Sequence, residues 1–209
     1  MPSIERIRER LASHRPREVS AADDAIVAAV AILVHQPAGL APELLFIERA
    51  VREGDPWSGQ MAFPGGHHDP DDPDLAATAA RETLEEVGIR LGAPAGRIDD
   101  FSGSRAGQPR RVVVTPFVYV LGERPPIRSN HEVQTTLWIP LSHILDPRSA
   151  VNYRFVRQEF SGTFPGVAYQ EHVVWGLTHR VLGSFLELLG RRLPDPPPPP
   201  QALRLHHEG

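Results

Sequence analysis

Residues 66–89, GHHDPDDPDLAATAARETLEEVGI, constrain the fold most, because a loop rich in glycine, proline and aspartate leads into a segment of helical character. Asp72 is a residue type favoured at helix N-caps, and Pro73 follows at the first helical position, where a missing N–H costs nothing. Gly88 is a typical helix terminator. We therefore predict a helix over residues 73–87.

Three glutamates lie close together near the end of this predicted helix. At 100° per residue, Glu82, Glu85 and Glu86 gather on one face. A stripe on another face is predicted to contain Ala76, Ala80, Leu84 with Thr83, and Val87. Like charges three and four residues apart repel by about 0.2–0.5 kcal/mol per pair. Carboxylates that converge beside a glycine loop make a hard oxygen site suited to Mg²⁺ or Mn²⁺, which predicts phosphoryl or pyrophosphoryl transfer.

The composition excludes several other kinds of site. The chain has no cysteine, so it has no disulfide, thiolate metal ligand or cysteine nucleophile, and this fits a reducing, cytoplasmic location. A net charge of −4 over 209 residues gives no strongly basic face for nucleic acid. The longest apolar run, residues 25–35, is too short to span a bilayer and predicts a buried strand. We expect neither nucleic acid nor membrane as a partner.

Strand-like and helix-like segments intermix along the chain, which predicts one layered α/β domain over residues 21–193. Residues 1–20 precede it with a short amphipathic helix. A strong helix is predicted over residues 178–193. From Pro194 the polyproline sequence cannot continue a helix, so residues 194–209 are expected to form a disordered tail.

The segment RETLEEVGI, residues 81–89, resembles the core of the Nudix box, Arg-Glu-U-X-Glu-Glu-X-Gly-U, in which U is a bulky aliphatic residue. Thr83 occupies the first U position. The full box begins earlier, with a glycine. A glutamate follows that glycine by six positions, and the arginine follows the glutamate by eight. In this chain fourteen residues separate Gly66 from Arg81, one more than the box has between its glycine and its arginine. The outlying glutamate is therefore missing, which leaves Asp69 and Asp72 as alternative replacements.

The longer loop resembles one branch of the Nudix superfamily, the coenzyme A pyrophosphatases. Their upstream signature ends Gly-X-X-X-Phe-Pro-Gly-Gly, and this chain has GQMAFPGG at residues 59–66. LLFIERA supplies a strand that ends at Arg49, as in that branch, and NHEVQTTLWIPL and WGLT resemble its later segments. The intervening segment VREGDPWS is one residue longer than the corresponding segment of that branch. It contains a single arginine, Arg52, and does not reproduce the branch's second arginine. The resemblance runs over residues 25–189.

This resemblance implies a Nudix-type α/β/α sandwich with a mixed β-sheet. It also implies a hydrolase of phosphoric anhydride bonds that depends on Mg²⁺ or Mn²⁺. The implied substrate is coenzyme A or a derivative, cleaved to 4′-phosphopantetheine and 3′,5′-ADP. The same chemistry on ADP-ribose, a dinucleotide or a (deoxy)nucleoside triphosphate is the alternative. A nucleotide-sensing module without turnover is the alternative of another class.

The resemblance also implies roles for individual residues. The metal ligands would be Glu82, Glu85, Glu86 and the carbonyl of Gly66. The base that activates water would be Glu82 or Glu132, with Arg81 orienting the glutamates. Substrate contacts would come from Arg49, Arg52, Gly65 and Trp57. The partner expected is a small-molecule nucleotide, and a homodimer is allowed for.

Overall fold

The computed structural model describes residues 2–21, 25–52, 57–104, 111–157 and 160–198. Its helices are α1 (Ile4–Ser13), α2 (Leu75–Val87), α3 (Leu141–Ile144) and α4 (Gly176–Leu188), with a 3-10 turn at Pro147–Ser149. The first six strands are β1 (Ile26–His35), β2 (Glu43–Arg49), β3 (Met61–Ala62), β4 (Gly65–His67), β5 (Gly96–Arg97) and β6 (Phe101–Ser104). The remaining strands are β7 (Arg111–Leu121), β8 (Val133–Pro140), β9 (Ala150–Arg157), β10 (Phe160–Tyr169) and β11 (His172–Trp175).

β1 lies in the middle of the larger sheet. It runs parallel to β7 along its whole length and pairs antiparallel with β2 only at its end, where Val34 faces Leu44. The two strands then diverge, and the short strands β3 and β4 fill the gap, with β3 on β2 and β4 on β1. β8 covers the other edge of β2, and β5 and β6 pair with β7. The glycine loop therefore enters the sheet at the split between β1 and β2.

Helices cover both faces of this sheet. Since alternate residues of a strand point to opposite faces, β1 contributes side chains to the core on each side. On one face, Ala31 and Leu33 of β1 lie in a buried cluster with Val87 of α2. On the other face, Ile32 lies in a larger buried cluster with Phe185 of α4 and with residues of α1. Parallel and antiparallel pairs occur in the same sheet. The predicted α/β/α sandwich with a mixed β-sheet is therefore confirmed.

β9, β10 and β11 form a second, antiparallel sheet. β10 pairs with β9 from Phe160 to Val167, whereas β11 pairs only with its last residues, from Gly166 to Tyr169. The part of the hairpin before Gly166 is therefore two-stranded, and we call it the β9–β10 ribbon. Residues 158 and 159 at its tip lie outside the described residues.

The structure corrects the predicted start of the acidic helix. Asp72 is not the N-cap: α2 begins at Leu75, and the side chain of Asp74 accepts the capping hydrogen bond from the N–H of Ala77 at 2.8 Å. Asp72 is unavailable as a cap because its carboxylate binds an arginine, described below. The end of the helix is as predicted, since Gly88 adopts the left-handed conformation with φ +72°.

The predicted buried stripe of α2 is correct for Thr83 and Val87 and wrong for Leu84. The residues buried along the helix are Thr78, Ala79, Thr83, Glu86 and Val87. Leu84, which was assigned to that stripe, is 37% exposed. Consequently one of the three glutamates lies on the buried face of the helix rather than on an acidic outer face.

The C-terminal part of the chain differs from its prediction in detail. α4 spans Gly176–Leu188, two residues earlier at its start and five shorter at its end than the predicted helix. Residues 194–198 of the expected tail are described, and the carbonyl of Pro197 accepts a hydrogen bond from Asn152 Nδ2 at 2.7 Å. Residues 199–209 lie outside the described residues. No helix in the described ranges is both long enough and apolar enough to cross a membrane.

Candidate active site

Gly65 and Gly66 bring the backbone of the loop against two other parts of the chain. Gly65 has φ +149°, and a Cβ atom there would collide with the carbonyl oxygen of Ala29 on β1. A Cβ atom on Gly66 would instead collide with the carboxylate of Glu82. Any side chain at either position would therefore push the loop away from the sheet or from the acidic helix.

Glu86 is the most buried of the acids, with 1% of its surface exposed. Its Oε2 accepts a hydrogen bond from the N–H of Gly65 at 2.9 Å, and its Oε1 lies 4.0 Å from Nη1 of Arg49. Burial raises the pKa of this carboxyl to about 8, and the negative charges of Glu82 and Glu132 add to the rise, against the opposing effects of Gly65 and Arg49. Without a further cation, the Glu86 carboxyl is mostly protonated at neutral pH.

Glu82 lies one turn before Glu86 on α2, with its carboxylate against Gly66 of the glycine loop. Its Oε1 accepts a hydrogen bond from Nη1 of Arg81 at 2.9 Å. Burial raises the pKa of the Glu82 carboxyl despite this ion pair, and the charges of Glu85 and Glu132 act in the same direction. Two neighbouring carboxyl groups are thus held at a place where nearby positive charge does not fully compensate the cost of ionising them.

Glu85 does not join them at the glycine loop. Its side chain is 53% exposed, and Arg81 Nη1 contacts its Oε2 at 3.3 Å, which is the i,i+4 pair predicted from the sequence. In the ranges that the structure describes, no three histidine, aspartate or glutamate side chains are spaced as they would be around a metal ion. The expected convergence of three glutamates is therefore seen only for Glu82 and Glu86.

Asp72 binds the guanidinium of Arg81 with both carboxylate oxygens. Nε and Nη2 of Arg81 each donate to Asp72 at 3.0 Å, and Nη2 also donates to the carbonyl of His67 at 3.2 Å. The buried hydroxyl of Thr78 donates to Asp72 at 2.8 Å. The Arg81 hydrogen bonds hold the pKa of Asp72 far below its usual range, with the Thr78 bond acting in the same direction. The exposed alternative, Asp69, accepts only a local bond from the N–H of Asp71.

Glu132 and Arg52 form an ion pair with each other. Nη1 of Arg52 lies 2.9 Å from Oε1 of Glu132, and both side chains are about 40% exposed, at 43% and 37%. The N–H of Ala50 donates to the Glu132 carbonyl at 2.8 Å, which ties the end of β2 to the segment before β8. The negative charge of Glu132 contributes to the raised pKa of both Glu82 and Glu86.

Trp57 packs on the sheet next to the glycine loop. Its partly buried ring contacts a cluster formed by Ala28, Val112 and Val114, which Leu177 of α4 also contacts. Ala28 pairs directly with His67 of β4, so this cluster is one strand away from the loop. The structure therefore gives Trp57 a packing contact on the sheet.

The donors at this site fit a hard divalent cation. They are carboxylate oxygens and a glycine carbonyl, which Mg²⁺ and Mn²⁺ prefer to nitrogen or sulfur. A buried carboxyl such as that of Glu86 is stabilised in its charged form by a neighbouring cation. Its present neighbours are a neutral N–H and a guanidinium 4.0 Å away. A cation between Glu82 and Glu86 would supply positive charge and so stabilise the ionised form of these two buried carboxyl groups.

Comparison with known proteins gives consistent matches. The NUDIX domain family model matches residues 25–158. An uncharacterized protein of Schizosaccharomyces pombe is 39% identical over 112 residues, covering 51% of this chain and 34% of that protein. The human protein named mitochondrial coenzyme A diphosphatase NUDT8 is 33% identical over 152 residues, covering 71% of this chain and 63% of that protein. The chain thus spans less than two thirds of the length of either relative.

A solved structure with a similar fold is a MutT/nudix family protein from Enterococcus faecalis. It superposes with a TM-score of 0.50 at 14% identity, covering 84% of this chain and 64% of that one. At this identity the likeness shows a shared fold alone.

Proposed function

Because this chain belongs to the Nudix hydrolase family, we propose that it hydrolyses the pyrophosphate of a nucleoside diphosphate linked to another group, using Mg²⁺ or Mn²⁺. The observation that carries the proposal is the buried carboxyl of Glu86, held by the Gly65 N–H beside Glu82 and the glycine loop. A scaffold protein would gain nothing from a buried acid whose pKa is raised to about 8. A metal site gains a ligand that is strong once the proton leaves.

In this proposal Glu82 and Glu86 hold the cation, with the carbonyl of Gly66 and the outer carboxylate of Glu85 completing the donor set. Mg²⁺ or Mn²⁺, when bound, neutralises charge on the phosphate oxygens and activates the attacking water. Arg81 contacts both Glu82 and Glu85, so it orients these two carboxylates.

Arg49 and Arg52 are proposed to bind the substrate's phosphates. Arg49 lies at the end of β2 and faces Glu86 at 4.0 Å, and the Arg52 side chain is 43% exposed at the rim. A guanidinium can donate two parallel hydrogen bonds to a phosphate, which fixes the phosphate's orientation as well as its position. Gly65 allows the loop backbone to approach the same phosphates closely.

Two carboxylates are candidates for the base. Water attacks one phosphorus, its oxygen forms the new P–O bond, the bond to the bridging oxygen breaks, and the base takes the proton. Glu82 is fixed by Arg81, whereas Glu132 is half-exposed and paired with Arg52. The Glu132→Gln variant at saturating Mg²⁺ separates them: a fall in kcat of about 100-fold or more identifies Glu132 as the base, and a nearly unchanged kcat identifies Glu82.

We propose coenzyme A or a derivative as the substrate, with 4′-phosphopantetheine and 3′,5′-ADP as products. The proposal is supported by the similarity to the human protein named as a mitochondrial coenzyme A diphosphatase. The GQMAFPGG segment ahead of α2 supports it independently. The same chemistry on ADP-ribose, a dinucleotide or a nucleoside triphosphate is the second candidate, because the sequence VREGDPWS, residues 51–58, is a residue longer than in the coenzyme A branch.

A substrate panel tests this proposal. Coenzyme A, acetyl-coenzyme A, ADP-ribose, NADH, dinucleoside polyphosphates and deoxynucleoside triphosphates are incubated with the protein and Mg²⁺ or Mn²⁺, and the products are separated by chromatography. The inactive control is Glu86→Gln, and the matched control is Glu187→Gln, an exposed acid on α4. Cleavage of coenzyme A by the wild type and Glu187→Gln alone supports the proposal. Cleavage of another compound in the panel would assign that compound class as the substrate instead of coenzyme A. No cleavage of any compound would favour a nucleotide-binding module.

A further inference from the structure

The segment of residues 128–132, which lies between β7 and β8, docks on the C-terminal end of α2. Two of its main-chain N–H groups reach carbonyls of the last turn: Arg128 donates to Val87 at 2.9 Å, and Asn130 donates to Glu86 at 3.0 Å. The last carbonyls of a helix have no partner within the helix, so these bonds satisfy two of them. The segment is therefore anchored to the turn of α2 that carries Glu86.

Gly88 makes this close approach possible. It ends α2 with φ +72°, and a Cβ atom there would lie 3.0 Å from Cβ of Arg128 and 3.3 Å from the Arg128 carbonyl oxygen. A side chain at this position would therefore crowd the segment, and the left-handed backbone disfavours residues other than glycine. The glycine that ends the helix thus also admits the segment.

Asn130 makes a further contact through its side chain. Its Oδ1 accepts a hydrogen bond from the N–H of Glu132 at 2.8 Å, which is the pattern by which asparagine closes a turn on the residue two positions later. Its carbonyl accepts a bond from the N–H of Val133 at 3.4 Å, where β8 begins. One residue therefore fixes both the place of the segment on α2 and the turn that carries Glu132.

Glu132 is also held from the side of β2. Its carbonyl accepts a hydrogen bond from the N–H of Ala50 at 2.8 Å, and its 37% exposed side chain pairs with Arg52. The backbone of Glu132 is thus fixed at both its N–H and its carbonyl. Since the negative charge of Glu132 contributes to the raised pKa of Glu82 and Glu86, this backbone position decides how the third carboxylate stands relative to those two.

We propose that Asn130 is a positioning residue that acts through Glu132. Its main-chain N–H ties the segment to the last turn of α2, and its side-chain oxygen sets the Glu132 N–H, so Glu132 is held in a fixed relation to Glu86. The inference rests on the proposed function, in which Glu132 is a candidate base and the partner of a phosphate-binding arginine. A shift of about 1 Å in such a group can cost about 100-fold in rate.

Amide hydrogen exchange followed by NMR tests this positioning without any turnover. In Asn130→Ala the main-chain bond to Glu86 remains, but the Glu132 N–H loses its acceptor, and we expect its exchange to become about tenfold faster, the equivalent of one hydrogen bond. Asn130→Asp keeps the accepting oxygen and should restore the slow exchange. Equal exchange of the Glu132 amide in the wild type and in Asn130→Ala would overturn the inference.

The matched control for this measurement is Asn152→Ala. It is the same substitution at another asparagine whose side chain bonds to the main chain, in this case to the carbonyl of Pro197. We expect it to leave the exchange of the Glu132 amide unchanged. Faster exchange of that amide in both variants would show a general loosening of the fold and would contradict a specific role for Asn130.

A double-mutant cycle asks whether Asn130 acts through Glu132. With the substrate found by the panel and saturating Mg²⁺, we expect Asn130→Ala to lower kcat/KM by about tenfold. The loss should fall on the constant, kcat or KM, that Glu132→Gln also changes. When Asn130→Ala is added to Glu132→Gln, the further loss should be less than about twofold. An equal loss in both backgrounds is the mark of a merely structural turn and would overturn the inference.

The two proposals fail separately. If Asn130→Ala speeds the exchange of the Glu132 amide in a protein that cleaves no member of the panel, the placement of Glu132 is supported and the proposed function is contradicted. If the wild type cleaves coenzyme A while Asn130→Ala keeps wild-type exchange and kinetics, the proposed function stands and the inference about Asn130 is wrong.

Discussion

Asp72 binds Arg81 through two parallel hydrogen bonds of 3.0 Å, and this pair links the loop before α2 to the carboxylates on it. The remaining guanidinium nitrogen, Nη1, contacts Glu82 and Glu85. The aspartate thus fixes an arginine that in turn fixes two proposed metal ligands. We therefore propose that Asp72, rather than Asp69, takes the place of the missing box glutamate, as a positioning residue.

Asp72→Asn is expected to lower kcat by about 10–100-fold, the usual cost of losing a group that orients metal ligands. The amide keeps the shape of the side chain but cannot accept two charge-assisted bonds from Arg81. Steady-state kinetics and Mg²⁺ titration measure the loss. Asp69→Asn is the matched control, because the Asp69 side chain is exposed and accepts a bond from the nearby N–H of Asp71, while its contacts with Asp72 are made by the backbone and survive the substitution. Equal effects of the two variants would contradict this role for Asp72.

Gly66→Ala is expected to lower kcat by at least about 100-fold. The new Cβ would collide with the carboxylate of Glu82, so the ligand must move, whereas the backbone of Gly66 is not in the left-handed region. Gly92→Ala is the control, since a Cβ there meets nothing within 4 Å. Circular dichroism verifies that both variants fold. Full activity in Gly66→Ala would show that the position of Glu82 is unimportant.

Binding of Mg²⁺ is expected to release a proton from Glu86. The pKa of Glu86 is about 8 in the absence of metal, so at pH 7 the cation must displace a proton to use this ligand. The apparent affinity should rise by up to about tenfold per pH unit below pH 8 and level off above it. Calorimetry in two buffers of different ionisation enthalpy counts the protons. A pH-independent affinity between pH 6 and pH 8 would contradict the assignment of Glu86 as a ligand.

Stability of the metal-free protein should fall as the pH rises. The pKa of Glu86 is raised from 4.5 to about 8, so over this interval the unfolded chain ionises while the folded one keeps its proton, which favours unfolding. Glu86→Gln carries no proton to lose, and its free energy of unfolding should exceed that of the wild type by about 3–5 kcal/mol above pH 8 and by little near pH 4.5. Urea unfolding at both pH values measures this difference. A constant difference would contradict the raised pKa.

The sequence was sufficient to predict those features of the site that depend on local spacing. The glycine loop, the end of α2 at Gly88 and the pair between Arg81 and Glu85 all follow from residue type and helical periodicity. The α/β/α sandwich was predicted from the intermixed segments and from the resemblance of residues 25–189 to a known family. These features need no knowledge of which distant residues meet.

The rotation of α2 could not be predicted in the same way. The predicted stripe held Leu84 together with Thr83, yet only Thr83 is buried, with its hydroxyl donating to the carbonyl of Ala79 at 2.7 Å. That local bond removes the cost of burying the hydroxyl. Once Thr83 faces the sheet, Glu86 follows on the same face, three residues later. Tertiary packing against β1, not propensity, decided which residues face inward.

The cluster of aromatic rings around Trp175 could not be predicted from the sequence, for a different reason. Trp175 was expected to pack in the core, which it does at 9% exposure. Its neighbours come from β9 and β10, and their pairing sets Tyr153 opposite Phe164. Strand register over such distances depends on the whole sheet, so a cluster assembled by it leaves no local pattern in the sequence.

The most direct test of the account measures coenzyme A cleavage while Mg²⁺ is added to metal-free protein, in the wild type and in Glu86→Gln. The account predicts that the wild type yields 4′-phosphopantetheine and 3′,5′-ADP in equal amounts, at a rate that saturates with Mg²⁺. It also predicts that the folded Glu86→Gln protein is slower by at least about 100-fold at every concentration. Cleavage that needs no divalent cation, or that proceeds unchanged in Glu86→Gln, would contradict it.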